Sequence, residues 1–244
     1  MCAGVLIISP VNRKYMKIYQ IEISNLCNLT CNYCPHPTQR RIKGIMSNEI
    51  FLKSLELVQL CGQKQIYLHN FGEPLLHPLI YYFIKESVQQ GIKVNFYTNG
   101  LLLDQSMLLR LVEAGLGEIC ISGHVRGELE RVQKLIDYFA IPLKITNTFR
   151  PKKAVIHTWA EQVSQQNPKM DKDNTLNFKP CIFERENAVV ILWDGRINIC
   201  CIDSEGNGVV GTVNDYLSGI LNYTFKPISL CQNCNLMRGY EQLG

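Results

Sequence analysis

The sequence predicts an α/β protein: a partial (β/α) barrel of about five or six parallel strands, followed by a small C-terminal β-hairpin and helix. Strand and helix patterns alternate up to about residue 150, and paired short strands then replace them. Strands that alternate with helices imply a parallel sheet joined by crossover helices. The chain has 244 residues, 46% of them hydrophobic, which is enough for one large domain with a small appendage.

The alternating part predicts five strands and four helices. The strands are predicted at Ile18–Ser24, Lys64–Phe71, Ile92–Tyr97, Gly117–Ser122 and Pro142–Asn147. The helices are predicted at Asn48–Leu60, Pro78–Gln90, Gln105–Ala114 and Glu128–Phe139. Ser47 or Asn48 is placed to cap the first helix and Asp104 the third, and Gly91 ends the second.

The C-terminal part predicts a hairpin, because Ala188–Trp193 and Arg196–Ile202 flank the two turn residues Asp194 and Gly195. A short helix is expected near 214–222. The predicted organisation is an N-terminal extension over 1–17, a core over 18–150, a linker over 151–174 and a C-terminal domain over 175–244.

Composition excludes several classes of function. The net charge of +4 is mild, and no dense Lys/Arg stripe with interleaved aromatics is present, so we expect no nucleic-acid partner. Arg40, Arg41 and Lys43 are interpreted as solvated loop charges, as are Lys152 and Lys153. No apolar run is long enough to span a bilayer, and the N-terminus lacks a basic leader. We therefore expect a cytoplasmic protein without a membrane partner.

The eleven cysteines are unevenly spaced and odd in number, which favours metal ligands over disulfides in a reducing compartment. Cys27, Cys31 and Cys34 follow directly on the first predicted strand. Three thiolates can hold three irons of a four-iron cube and leave the fourth iron open. Sites in parallel barrels gather at the C-terminal ends of the strands, which is where these cysteines lie. The alternative is a zinc site with His36 as the fourth ligand.

Three motifs in this order resemble those of the radical S-adenosylmethionine superfamily. They are the cysteine triplet with Tyr33 before its last member, Gly72-Glu73-Pro74 after the second strand, and Tyr97-Thr98-Asn99-Gly100 at the end of the third. The resemblance implies a [4Fe-4S] cluster on the three cysteines and S-adenosylmethionine on its open iron. Cleavage would yield a 5′-deoxyadenosyl radical, with a flavodoxin- or ferredoxin-type protein as the electron donor.

The same resemblance assigns the cofactor contacts. Tyr33, Gly72, Glu73 and Pro74 belong to the cofactor-binding motifs, and Glu73 with its nearby backbone holds the amino group of S-adenosylmethionine. Asn99 and Ser122 are placed at its ribose and carboxylate. Taken singly, Gly72–Pro74 is also typical of a turn, and Asn99-Gly100 of a loop that leads into a helix.

Alternate residues on a strand share a face, so a common polar face is predicted for the barrel interior. It comprises Gln20, Glu22, Ser24, Asn95, Tyr97, Asn99, Cys120 and Ser122. Tyr67, His69 and Phe71 share a face on the second strand. A polar interior favours a chamber for S-adenosylmethionine and a polar substrate, whereas a shift of one residue would invert a strand.

A second cysteine cluster lies near the C-terminus and comprises Cys181, Cys200, Cys231 and Cys234. Four thiolates can bind zinc or a second four-iron cluster. The segment resembles the twitch domain, the one-cluster relative of the SPASM domain. In that family a hairpin glycine precedes a ligand cysteine by five residues, which assigns Cys200 with Gly195 rather than Cys201. The resemblance implies a second [4Fe-4S] cluster.

Within that family, the chain resembles twitch-domain dehydrogenases that oxidise an alcohol of 2-deoxy-scyllo-inosamine. This implies a two-electron oxidation of a small hydroxylated or aminated natural-product intermediate, with His124, Arg150 and Cys120 as candidate catalytic residues. Arg150 is alternatively a salt-bridging residue, and Cys120 is either a hydrogen-atom donor or a core filler. Two other hypotheses remain: modification of a ribosomal peptide by crosslinking or epimerisation, and a non-catalytic metal-binding protein.

Overall fold

The structure, a computed structural model, describes residues 16–122, 125–147, 159–160, 162–163, 181–221 and 223–234. Its parallel strands are β1 (Lys17–Ile21), β2 (Gln65–Tyr67), β3 (Lys93–Asn95), β4 (Tyr97–Thr98), β5 (Glu118–Ile121) and β6 (Lys144–Asn147). The helices between them are α1 (Asn48–Leu60), α2 (Ile80–Gln89), α3 (Gln105–Glu113) and α4 (Glu128–Tyr138). The predicted alternation of strand and helix is therefore present.

The third predicted strand is divided in two at Phe96. β3 pairs in parallel with β2, whereas β4 pairs in parallel with β5, which in turn pairs with β6. The Phe96 carbonyl accepts a hydrogen bond from Cys120 N at 3.2 Å, and its side chain is fully buried. The chain thus changes hydrogen-bonding partner at this residue while it continues in one direction.

The helices begin where the capping residues predict. Ser47 Oγ accepts a hydrogen bond from Ile50 N at 3.2 Å, and Asp104 Oδ1 accepts one from Met107 N at 2.7 Å. Each cap satisfies a backbone donor that the first helical turn leaves open. α1 and α2 are joined by stacked rings of Phe51 and Phe83, whose centroids lie 3.8 Å apart. The helices therefore bury their apolar faces together outside the strands.

The C-terminal hairpin pairs with the first strand of the core, whereas β2-β3 and β4-β5-β6 form two other sheets. β7 (Ala188–Ile191), β8 (Arg196–Asn198) and β9 (Val209–Thr212) follow β1 in the order β1-β7-β8-β9. β7 is parallel to β1, and β8 is antiparallel to both of its neighbours. The hairpin at Asp194-Gly195 is the one predicted, whereas β9 was not predicted. The pairing brings the C-terminal cysteines beside the strand that carries the first cysteine motif.

Three short helical segments complete the C-terminal part. These are α5 (Ile182–Arg185), α6 (Val213–Leu217) and a 3₁₀ turn at Ser229–Asn233. α6 begins with a capping box between Thr212 and Asp215 and is shorter than the predicted helix. Among the described residues, no helix has both the length and the apolar character needed to cross a bilayer. Residues 1–15 of the predicted extension and most of the predicted linker lie outside the described part.

Candidate active site

The three motifs that the sequence singled out meet at the C-terminal ends of the parallel strands. Glu73 N donates to the Leu26 carbonyl at 2.6 Å, beside the first cysteine. Asn99 Nδ2 donates to Asn28 Oδ1, inside the cysteine motif, at 2.7 Å. These hydrogen bonds join the loop after β1 to the ends of β2 and β4.

Glu73 holds two of these motifs together. Its buried carboxylate accepts hydrogen bonds from Thr98 Oγ1 at 2.7 Å, Asn99 N at 2.9 Å and Leu75 N at 3.1 Å. The Glu73 side chain caps the 3₁₀ turn Pro74–Leu76. Proline suits the first position of this turn, because a backbone N–H there would have no partner within the turn. Burial raises the pKa of Glu73, and these donors oppose the rise. Oε2 accepts only one of the three hydrogen bonds, which leaves it capacity for a ligand amine.

Gly72 allows the loop after β2 to approach the loop after β1 closely. Its φ is +102°, a conformation that other residues rarely adopt. A Cβ there would lie 2.7 Å from the carbonyl oxygens of Ser24 and Leu26, and 2.8 Å from Asn25 Cα. These contacts are all backbone, so no side chain can move to make room. Gly72 therefore fixes the segment that leads into Cys27.

Replacing Gly72 with alanine is expected to lower the free energy of unfolding by about 3 kcal/mol or more, because backbone strain and overpacking add. Gly62→Ala is the matched control: its φ is +68°, and no atom lies within 4 Å of the added Cβ. Gly62→Ala should lower the free energy of unfolding only by the cost of backbone strain, about 1–2 kcal/mol. Urea unfolding of both variants measures the difference. Equal costs would show that the close approach at Gly72 is unimportant.

Cys27, Cys31 and Cys34 lie close enough to influence one another. Burial is the main cause that raises the pKa of Cys27 and of Cys34, and the neighbouring cysteines add to it. Tyr33 is hydrogen-bonded to Cys31, and its backbone carbonyl accepts a hydrogen bond from Trp159 Nε1 at 2.9 Å. A bound metal cluster would favour the thiolates that this environment disfavours. The donor set thus fits a cationic cluster with three protein ligands.

The zinc alternative needs thiolates about 3.8 Å apart, given tetrahedral zinc with a bond to sulfur of roughly 2.3 Å. Among the described residues, no three His, Cys, Asp or Glu side chains are grouped to hold one metal ion. A cube binds each thiolate at a different iron, so its ligands lie farther apart. His36, the predicted fourth zinc ligand, places Nε2 2.9 Å from the Asn25 carbonyl, and its Nδ1 is buried without a partner.

Asn99 and Ser122 lie at neighbouring strand ends. Asn99 Oδ1 accepts a hydrogen bond from Leu101 N at 3.0 Å, while its amide nitrogen contacts Asn28. Ser122 Oγ donates to the Thr98 carbonyl at 2.9 Å. Both side chains therefore stabilise the rim of the strands, and their contacts with a cofactor stay a prediction. His124 and Arg150 lie outside the described residues.

Polar and aromatic side chains share one face of the strands. Pairing places Tyr67 beside Asn95, and Tyr97 beside Cys120, which is itself beside Thr146. We call this set of five residues the chamber row. Asn95, Tyr97 and Cys120 in this row belong to the predicted polar face. A buried acceptor, Asn95 Oδ1, has no partner among the described atoms.

His69 extends the chamber row toward β1. Its ring centroid lies 4.3 Å from that of Tyr97, and its Nδ1 accepts a hydrogen bond from Tyr97 N at 3.4 Å. Its Nε2 must then carry the proton, and it lies 3.0 Å from Gln20 Nε2. Rotating the Gln20 amide places Oε1 there instead, which satisfies an oxygen that otherwise lacks a partner. His69 is thus a neutral, fully engaged ring.

Burial lowers the pKa of His69 to about 3. The unfolded chain binds a proton near pH 6.5 and the folded chain does not, so this residue makes stability fall as pH drops below 6.5. Between pH 7 and 5.5 its contribution is about 1.3 kcal/mol. Between pH 7 and 5.5, the free energy of unfolding of His69→Asn is expected to fall by about 1.3 kcal/mol less than that of the wild type, as measured by urea unfolding. Parallel profiles for both proteins would mean that His69 titrates normally.

The second group of cysteines also converges. Cys181 precedes α5, Cys200 follows β8, and Cys231 lies in the 3₁₀ turn. Burial chiefly raises the pKa of Cys181 and of Cys231, and each is raised further by Cys200. Cys234 is buried, and its N–H donates to the Cys231 carbonyl at 3.3 Å. Cys181, Cys200 and Cys231 therefore lie near one another, and a cluster on these three residues and Cys234 stays a prediction.

Cys200 and Cys201 differ in burial and in neighbours, and the choice of Cys200 as the ligand stays a prediction. Cys200 is the more buried and is near both Cys181 and Cys231. Cys201 is hydrogen-bonded to Cys200 and adds to the raised pKa of Tyr19 on β1, after burial as the main cause. The spacing from Gly195, which adopts φ +81° in the hairpin, leads to the same choice.

The interpretation of Arg41 as a solvated charge is wrong. Its side chain is 3% exposed and forms an ion pair at 2.8 Å with Glu22, whose side chain is 0% exposed. Arg40 and Lys43 are exposed, as expected. Glu22, predicted to line the chamber, is instead sealed by this partner. Sequence reasoning missed the pair because both partners are ordinary charged residues outside any motif.

Comparison with known proteins gives the following matches. The family model described as the Radical SAM superfamily matches residues 21–163. A tungsten-containing aldehyde ferredoxin oxidoreductase cofactor-modifying protein of Pyrococcus furiosus is 27% identical over 78% of this chain, which spans 59% of that protein. An S-adenosyl-L-methionine-dependent 2-deoxy-scyllo-inosamine dehydrogenase of Niallia circulans is 23% identical over 91% of this chain and 94% of its own.

Other matches cover less of the chain or concern structures. A PqqA peptide cyclase of Granulibacter bethesdensis is 30% identical over 41% of this chain and 27% of its own length. A crystal structure of BtrN in complex with AdoMet and 2-DOIA superposes with a TM-score of 0.67 at 21% identity, covering 92% of this chain and 87% of that one. The two chains therefore share a fold.

Proposed function

The chain belongs to the radical SAM superfamily, and we propose that it is an oxidoreductase that removes two electrons from a small hydroxylated or aminated substrate. The observation that carries the proposal is the meeting of the three motifs at one end of the strands. Leu26, Asn28, Glu73 and Asn99 connect them through hydrogen bonds of 2.6 and 2.7 Å. These hydrogen bonds position the three motifs relative to one another without a ligand.

When bound, a [4Fe-4S] cluster and S-adenosylmethionine supply a carbon-centred radical that takes a hydrogen atom from the substrate, and a second cluster supplies an acceptor for the remaining electron. Cys27, Cys31 and Cys34 would hold the first cluster, and Cys181, Cys200, Cys231 and Cys234 the second. Glu73 Oε2 would accept a hydrogen bond from the amino group of the cofactor. A flavodoxin- or ferredoxin-type protein would deliver the first electron.

The chamber row supports a polar substrate. Tyr67 and Tyr97 offer hydroxyl groups, and the unpartnered Asn95 Oδ1 needs a donor such as a hydroxyl or an amine. His69 is neutral and engaged on both nitrogens, so it orients Tyr97 rather than accepting a proton. The acceptor of the hydroxyl proton would be His124, since the guanidinium of Arg150 stays protonated; both residues lie outside the described part of the chain.

The comparisons support a small substrate over a peptide. The 2-deoxy-scyllo-inosamine dehydrogenase matches 91% of this chain, whereas the PqqA peptide cyclase matches 41%. The test is anaerobic incubation of the reconstituted protein with S-adenosylmethionine and 2-deoxy-scyllo-inosamine or related aminocyclitols. One new carbonyl for each 5′-deoxyadenosine is expected. Turnover of a ribosomal peptide with no aminocyclitol oxidised would overturn the proposal.

Cys120 separates oxidation from epimerisation. It is buried beside Tyr97 in the chamber row, and its proximity adds to the raised pKa of Tyr97, after burial as the main cause. A thiol there could return a hydrogen atom to a substrate radical, whereas a core filler could not. In deuterated water, Cys120→Ala is expected to give unchanged product without deuterium at carbon.

The matched control for this prediction is Cys61→Ala, at the end of α1. Substrate carbon that gains solvent deuterium in the wild type, together with stalled turnover in Cys120→Ala alone, would indicate epimerisation. Mass spectrometry of the recovered product measures both quantities.

A further inference from the structure

Arg41 connects the core to the C-terminal segment with three hydrogen bonds. Nη1 and Nη2 donate to the two carboxylate oxygens of Glu22 at 2.9 and 2.8 Å, and Nε donates to the Ser204 carbonyl at 2.8 Å. Arg41 lies in residues 35–45, which we call the Cys34 loop because it follows the first cysteine motif. One guanidinium therefore contacts the residue that follows β1 and a distant loop at once.

Ser204 belongs to residues 202–208, called here the Ser204 loop, which begins two residues after Cys200. Its carbonyl also accepts a hydrogen bond from Gln39 Nε2 at 2.6 Å. The Glu205 carboxylate accepts one from Arg40 N at 3.0 Å. Three consecutive residues of the Cys34 loop thus bind two consecutive residues of the Ser204 loop.

Glu22 extends the connection to the cofactor motif. Its Oε2 accepts hydrogen bonds from Phe71 N and Asn70 Nδ2, both at 3.3 Å, directly before Gly72. The Glu22 carboxylate therefore joins the loop after β2 to the Cys34 loop, and Arg41 joins this pair to the Ser204 loop. Each of these loops adjoins a predicted cofactor contact or cluster ligand.

The hairpin supports the same junction. Trp193 Nε1 donates to the Ile42 carbonyl at 3.2 Å. Its ring covers Gly44, where a Cβ would lie 2.6 Å from the indole. The second half of the Cys34 loop is therefore held from the C-terminal segment at neighbouring positions, through Arg41 and through the contacts of Trp193 with Ile42 and Gly44.

The chemistry requires arginine in particular. Moving the charges of Glu22 and Arg41 out of water costs free energy. Apolar residues of similar size would pack at these two positions without that cost. Lysine lacks the planar guanidinium group, so it could not donate hydrogen bonds to both carboxylate oxygens of Glu22 and to the Ser204 carbonyl in a third direction. Geometry rather than charge alone explains the residue at this position.

We propose that the Glu22–Arg41 pair is a positioning device that sets the relative placement of the two cysteine sites. It anchors the loop after Cys200 onto the loop after Cys34. The proposal rests on the proposed function, because the placement matters to the reaction only if both sites hold clusters. Arg41 acts through these loops and touches neither substrate nor cofactor.

The test compares reconstituted wild type with Arg41→Lys, Glu205→Ala and Arg110→Lys. Arg110 is the matched control, since it lies over the Tyr81 ring, away from both cysteine sites. Hydrogen exchange with mass spectrometry should show about tenfold faster exchange in the Cys34 and Ser204 loops of Arg41→Lys, because the link between them is lost. Glu205→Ala removes one exposed contact and should show a smaller change in the same loops.

Electron paramagnetic resonance of the doubly reduced protein provides a second readout. The magnetic interaction between the two clusters should change in Arg41→Lys at unchanged iron content, and less product should form for each 5′-deoxyadenosine. Hydrogen exchange in the Ser204 loop that is unchanged in Arg41→Lys would overturn the proposal, and so would exchange that is equally faster throughout the chain. If Arg41→Lys does not fold, the exchange rates of Glu205→Ala in the same two loops provide the test. A wild type that binds only one cluster would instead refute the proposed function. The hydrogen-exchange comparison would still test whether Arg41 links the two loops.

Discussion

Replacing Cys27, Cys31 and Cys34 together with alanine is expected to remove about half of the bound iron and to abolish 5′-deoxyadenosine formation. The three thiolates supply all the protein ligands proposed for the first cluster, whereas the C-terminal cysteines supply those of the second. Iron and labile sulfide are measured after anaerobic reconstitution, and 5′-deoxyadenosine is measured by chromatography.

The matched control for the triple variant is Cys61→Ala, because Cys61 belongs to neither group of cysteines. Its iron content and 5′-deoxyadenosine yield should equal those of the wild type. Continued cleavage of S-adenosylmethionine by the triple variant would refute the assignment of the first site. Zinc without labile sulfide in the wild type would favour the non-catalytic hypothesis instead.

The parts of the site that the sequence predicted are those that depend on local chemistry. The cysteine spacing of 27, 31 and 34 lies within one loop, and Asp104 caps the helix that begins at the next residue. Gly72 and Glu73 belong to a motif whose residue types are dictated by a close backbone approach and a buried cap. The cysteine spacing and the cap needed only residues that are near one another in the chain. Gly72 and Glu73 were assigned through the resemblance of their motif, since their contacts reach residues 24–26 and 98–99.

The parts that the sequence did not predict depend on contacts between distant segments. Arg41 is buried because Glu22 and Ser204, which are 19 and 163 residues away, surround it. β7 continues the sheet from β1, which no periodicity within either strand could show. The division of the third strand at Phe96 likewise follows from a change of neighbour, not from its own apolar pattern.

Removing the second site should separate cleavage of S-adenosylmethionine from substrate oxidation. Cys234→Ala is expected to lose about half of the iron, because one of four thiolates of the auxiliary site is gone. Product should fall by more than about tenfold, since the substrate radical loses its electron acceptor. 5′-Deoxyadenosine should still form slowly, because Cys27, Cys31 and Cys34 are intact. The ratio of product to 5′-deoxyadenosine is the quantity to measure.

The matched control for Cys234→Ala is Cys201→Ala, which removes a thiol beside the site that is assigned no ligand role. It should keep the full iron content and the wild-type ratio. Equal iron loss in both variants would show that Cys201, not Cys200, is the ligand after β8. Wild-type turnover in Cys234→Ala would reduce the second site to a structural role, in the way that a four-thiolate zinc site stabilises a small domain. The hydrogen-bonded junction at Ser204 would then hold a structural element in place instead of an electron acceptor.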